Sequence, residues 1–168
     1  TTFMGAATLQ SSIDNGATNS SAVTAGDNFT GITSVQGTNS WWVFCNDSMG
    51  NENWSRTTFY KDTVFPVFAI SFPLNTTYFY NITTLNYSYS DTNTGSCWYS
   101  VDKGVTNSTS VTAGINFTSV PKSYNLNNWT LYCNDTYANQ NSTSIYFTIA
   151  RYNVTNESYN SSTYDTSQ

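Results

Sequence analysis

Along the second half of the chain, apolar and polar residues alternate with a period of two. Cys97, Tyr99 and Val101 share one parity, as do Ile115 and Phe117, then Trp129, Leu131 and Cys133, and finally Ile145, Phe147 and Ile149. Gly, Asn, Asp and Ser clusters separate these runs, and no segment carries a 3.6-residue period. Such alternation turns every second side chain of a strand toward one face. Short strands spaced about 8–12 residues apart predict an antiparallel β-sandwich. Two further strands are predicted around 65–72 and 77–89, with the inward parity switching at Thr83 and Thr84, as a β-bulge would make it. Cys97 and Cys133 both fall on inward parities, which predicts a core disulfide between two sheets.

The pattern occurs twice. Shifted by 88 residues, positions 10–62 lie over 98–150 without a gap: Val23-Thr24-Ala25-Gly26 falls on Val111-Thr112-Ala113-Gly114, and Cys45-Asn46-Asp47 on Cys133-Asn134-Asp135. A repeat of this kind is one structural unit used again. The reading is a truncated first domain over 1–62, a complete domain over 63–150, and a polar tail over 151–168.

Ser96-Cys97-Trp98-Tyr99-Ser100-Val101-Asp102, followed by Trp129-Thr130-Leu131-Tyr132-Cys133-Asn134-Asp135 and an aromatic-aliphatic last strand, resembles the immunoglobulin-like repeats of archaeal secreted and cell-surface proteins. The resemblance covers nearly all of 63–150 and the later part of 1–62. It implies an all-β fold of two tandem immunoglobulin-like β-sandwich domains, and it says little about function. The first copy departs from it: Leu9 stands where Cys97 stands, so Cys45 is left as an unpaired thiol.

Composition narrows the function. Only 15 of 168 residues are charged, the net charge is −5, and there is no histidine. Five cations cannot neutralise a phosphate backbone, which excludes nucleic acid as a partner. Without histidine, the commonest base and metal ligand is missing, and no enzyme activity, catalytic residue, metal or cofactor is expected. The longest apolar run, 64–74, is too short and too broken by proline to span a bilayer. Asp47 and Asp135 could contribute to a calcium site, but capping a turn is the commoner use of such residues.

Asn, Ser and Thr supply 73 residues, and Phe, Trp and Tyr another 28. Fifteen Asn-x-Ser/Thr sequons follow: Asn19, Asn28, Asn46, Asn53, Asn75, Asn81, Asn86, Asn107, Asn116, Asn128, Asn134, Asn141, Asn153, Asn156 and Asn160. Composition alone would give about 7. By parity, every strand sequon of the second copy is expected to face solvent, where N-glycans would supply the solubility that charge does not. Trp42, Phe44, Trp54, Trp98, Tyr132 and Tyr146 also fall on outward or loop positions.

The first copy lacks a counterpart of 63–88. A sandwich without those strands would leave an open apolar groove, which strand addition from another subunit could fill. Residues 1–10, with Phe3, Met4, Ala6, Ala7 and Leu9, form the candidate donor strand, and the tail 151–168 is the other candidate. The expected protein is an extracellular, cell-surface, N-glycosylated filament subunit of the pilus or thread kind, polymerised with identical copies. A surface adhesin or carbohydrate-binding module, and a segment of an S-layer or longer repeat protein, are the alternatives.

Overall fold

The alternating runs become strands in a computed structural model that describes residues 7–151; no helix is formed among them. The chain divides into two units, one ending at Val64 and the other beginning at Phe65.

The first unit is one sheet. Its strands are β1 (Thr8–Ser12), β2 (Val23–Thr24), β3 (Gly37–Asn46) and β4 (Glu52–Lys61), in the order β2-β1-β3-β4. All pairings are antiparallel, and Leu9 lies directly opposite Cys45.

The second unit contains β5 (Val67–Phe72), β6 (Thr77–Tyr78), β7 (Asn86–Ser90), β8 (Thr94–Ser100), β9 (Val111–Thr112), β10 (Asn125–Asp135) and β11 (Gln140–Ile149). Five of them form a sheet ordered β6-β11-β10-β8-β9, in which β6 runs parallel to β11. β5 and β7 form the opposing layer, which a bridge between Leu85 and Phe117 extends. This is the immunoglobulin arrangement: β8, β10 and β11 take the places of strands C, F and G, β9 adds C′, and β5, β7 and the Phe117 segment take those of A, B and E.

Between the layers lies the core. Leu85, Cys97, Leu131 and Cys133 are fully buried, and Trp129, Val120, Phe147 and Ile149 nearly so. Trp129 meets Phe147 edge to face at 4.8 Å, and Tyr99 meets Phe117 likewise at 5.1 Å. Each such side chain contributes about 1.5–3 kcal/mol by leaving water. Gly95 sits where β8 passes the bulge between Cys133 and Asp135; a Cβ there would come within 2.6 Å of the Asp135 carbonyl carbon.

Three expectations are corrected. The 77–89 stretch is not one bulged strand. β6 edges the large sheet while β7 belongs to the other layer, so the parity switch at Thr83 and Thr84 marks the crossing between layers. Cys97 and Cys133 are disulfide-bonded, but as directly opposed residues of neighbouring strands β8 and β10. The bond therefore lies within one sheet instead of between two. Ile115 shares the parity of buried Phe117 but is exposed, because only a single bridge holds that segment in register.

Candidate functional site

The first unit repeats half of the second. Its order β2-β1-β3-β4 matches β9-β8-β10-β11, and Leu9 opposite Cys45 matches Cys97 opposite Cys133. Counterparts of β5, β6 and β7 are missing among the described residues, so what the first unit lacks is a whole layer and not an edge alone. The side chains that this layer buries in the second unit are only half-buried in the first. Leu9, Phe29, Ile32, Trp41, Val43 and Phe59 correspond to Cys97, Phe117, Val120, Trp129, Leu131 and Phe147, and none of the six reaches the burial of its counterpart. The Trp–Phe pair is retained even so: Trp41 meets Phe59 edge to face at 4.9 Å. Phe29, Ile32, Trp41 and Val43 border a cavity of about 370 Å³.

Backbone groups on this face are open as well. In the second unit Phe117 exchanges two hydrogen bonds with Leu85 at 3.0 Å, and the Val120 N–H donates to the Thr83 carbonyl at 2.9 Å. The matching Phe29 and Ile32 have no such partner among the described residues. An apolar face bordered by unpaired backbone is the chemistry that strand addition satisfies. Sequence reasoning found the missing strands but not this edge; the signal was that Phe29 matches Phe117 while Leu85 has no match.

Of the candidate donor residues, Leu9 is committed to β1 of its own sheet, and the carbonyl of Ala7 accepts the Ala25 N–H at 2.9 Å. The segment available for donation is thereby shortened to what precedes them; Phe3, Met4 and Ala6 lie outside the described residues, as does the tail from 152 onward. Cys45 is half-buried and unbridged.

The repeated aspartates cap turns. The Met49 and Asn51 N–H groups donate to Asp47 Oδ1 at 2.9 Å each, and Asn51 Nδ2 donates to Oδ2 at 2.9 Å. Asp135 is held in the same way by Tyr137 and Asn139. Asp14 and Asp102 close the hairpins after β1 and β8, accepting from the hydroxyls of Ser12 and Ser100 at 2.7 Å. These bonds hold three carboxyls below the ordinary aspartate range. The main cause is the Ser12 hydroxyl for Asp14, the Asn51 side chain for Asp47 and the Thr106 N–H for Asp102. Stability gained this way is complete above the unfolded value of about 3.9 and is lost as pH falls through the lowered folded values. The denaturant midpoint is therefore expected to stay level from neutral pH to about pH 4 and then to fall. Ser12→Ala should make that fall smaller, because Asp14 then titrates closer to its unfolded value.

Twelve sequons lie among the described residues. Nine are exposed, Asn86, Asn128 and Asn134 are half-buried, and none is buried. Asn141 pairs with Cys133 and so shares the parity of the core face, yet it is exposed, and its Nδ2 donates to the Pro66 carbonyl at 3.5 Å. Asn53, opposite Cys45, faces the open side of the first unit. Asn153, Asn156 and Asn160 are outside the described residues.

No helix among the described residues is long and apolar enough to cross a membrane. No family model matches the chain, and no curated protein matches it. Among solved structures, the fibronectin(III)-like modules of Clostridium thermocellum CbhA are similar at a TM-score of 0.46 and 14% identity, over 90% of this chain and 82% of that one. The N-terminal four Ig domains of Dscam1 isoform 1.9 are similar at 0.38 and 13%, over 87% of this chain and 38% of that one.

Proposed function

We propose that the protein is a structural subunit of an extracellular, N-glycosylated surface filament, joined head to tail by strands donated from one copy to the next. The observation that carries this reading is the first unit's inward face. It repeats the apolar side chains of a sandwich core, and among the described residues it lacks the layer that would cover them. A face on one end filled by a segment from another copy is a heterologous contact, and such contacts propagate as open fibres when the rotation does not close. The segment before Thr8 is the favoured donor, because it carries no charge and no sequon; the tail is the other. The strand it would stand in for is the one that runs through Leu85 into β7, which pairs with Phe117 and buries Leu85 and Tyr87 in the core. The resemblance to archaeal surface repeats supports an archaeal cell surface as the setting. The intrasheet disulfide and the outward sequons both suit an extracellular setting.

Electron microscopy of the purified glycosylated protein tests the reading. Filaments are expected from the full chain, and soluble monomers from a chain lacking residues 1–6. Filaments that persist without 1–6 but vanish without 152–168 would move the donor to the tail. A full chain that stays monomeric at high concentration would overturn the proposal.

An adhesive or carbohydrate-binding role is the second reading, favoured by the aromatic cluster on the outer face of the first sheet. There Trp42 lies 4.9 Å from Trp54, 6.3 Å from Phe44 and 5.2 Å from the Arg56 guanidinium.

A further inference from the structure

The outward aromatic residues need an occupant, and the sequons beside them supply one. On β3 the outward row runs Trp42, Phe44, Asn46. Side chains two apart on a strand share a face and lie about 7 Å from each other. Across the sheet Phe44 pairs with Trp54 and Trp42 with Arg56. The acceptor Asn46 therefore stands one step from two rings and two steps from a third.

The second unit repeats the arrangement with different residues. Asn134 follows Tyr132 on β10, and Tyr132 pairs with Trp98 on β8, the two rings stacked at 5.9 Å and 8°. The second ring thus comes from β4 in one unit and from β8 in the other, yet both units place two rings one step from the acceptor. Ring position is fixed by the hairpin glycines. A Cβ on Gly16 would meet Phe44 Cζ at 3.0 Å, and one on Gly104 would meet the Tyr132 hydroxyl at 2.8 Å. Both acceptor amides are also oriented. The Thr8 hydroxyl donates to Asn46 Oδ1, and the Ser96 N–H donates to Asn134 Oδ1 at 3.0 Å. Neither Nδ2, the atom that carries a glycan, donates a hydrogen bond to a described residue.

We infer that Phe44, Trp42 and Trp54 form the seat of the glycan on Asn46, and that Tyr132 and Trp98 form the seat of the glycan on Asn134. The sugar chain leaves Nδ2, turns back along its own strand and lays the apolar face of its first rings on the aromatic side chains. Sugar C–H groups and aromatic faces complement each other as ring edges and faces do in aromatic pairs. The outward rings are then lined for the protein's own carbohydrate, which closes them to water and to unwanted contacts between copies. The inference rests on the N-glycosylation proposed above.

The test uses the glycosylated chain from a host that attaches N-glycans. Glycopeptide mass spectrometry reads occupancy site by site. Proton NMR reads through-space contacts between sugar and indole, and thermal unfolding compares Asn134→Gln in the wild-type and Tyr132→Ala backgrounds. Occupied Asn46 and Asn134, sugar contacts to Trp42, Trp54 and Trp98, and a midpoint lowered by about 3–6 °C by Asn134→Gln only when Tyr132 is present are expected. Occupied acceptors with no such contacts, and an equal effect in both backgrounds, would overturn the seat. So would saturable binding of a free oligosaccharide to the rings of the glycosylated chain, which would assign them to a foreign sugar. Empty Asn46 and Asn134 beside other occupied sequons would overturn it while leaving glycosylation standing. No occupied sequon at all would defeat the glycosylation reading itself.

Discussion

Trp129→Ala is expected to destabilise the second unit by about 3–5 kcal/mol, the range for emptying a buried tryptophan site. Trp129 is 1% exposed and packs on Phe147 in the middle of the core, so little around it can collapse into the space. The same substitution at the matching Trp41 should cost an unassembled subunit only a fraction of that, since this indole is half-buried. It should instead stop assembly. Urea denaturation of both variants, read beside electron microscopy of each, separates the two roles. Equal destabilisation by the two substitutions in unassembled subunits would mean that the first unit is already covered.

Leu9→Cys is expected to create a second disulfide, to Cys45. The pair occupies the register that Cys97 and Cys133 occupy, and its sequence separation is the same 36 residues. Closing a loop of that length stabilises by about 3–4 kcal/mol when native geometry accepts the bond. Thiol titration should fall from one group per chain to none, and the first unit should resist denaturant until a reductant is added. A thiol count of two would show that the register of β1 against β3 differs from that of β8 against β10. Assembly should survive the substitution, because the new bond joins strands of one sheet and gives the open face the same disulfide that the second unit carries in its core.

Alternation alone made most strands legible, because a period of two is imposed by the backbone whatever the neighbours are. β10 was plain in this way: Trp129, Leu131 and Cys133 are all buried. Parity reports which face a residue takes but not which sheet its strand joins. For that reason the disulfide was placed across the core, and the crossing at Thr83 and Thr84 was read as a bulge. Asn141 shows the same limit of parity: it shares the parity of Ile145, Phe147 and Ile149, yet it lies exposed near the start of β11. The open face of the first unit is legible through the repeat, since half-buried Leu9, Phe29, Ile32, Trp41, Val43 and Phe59 each have a buried counterpart 88 positions on. Its unpaired backbone is not, because hydrogen-bond partners are a property of the missing layer. The capping of turns by Asp47 and Asp135 is legible from Asx chemistry, since each Asp is followed four residues later by Asn.

The disulfide within one sheet has a consequence for a chain under tension. In the proposed filament, a pull on the ends would load each subunit along its backbone, and strands at the termini of a unit would peel first. Cys97 and Cys133 shunt that load past everything between them, so residues 98–132 are kept out of the extending chain. At about 3.4 Å per residue this withholds roughly 120 Å of slack. β5, β6 and β7 lie outside the shunt and can be drawn away, while β8 to β10 stay tied. A subunit built this way keeps β8, β9 and β10 together, the part of the large sheet on which its lost strands can settle again.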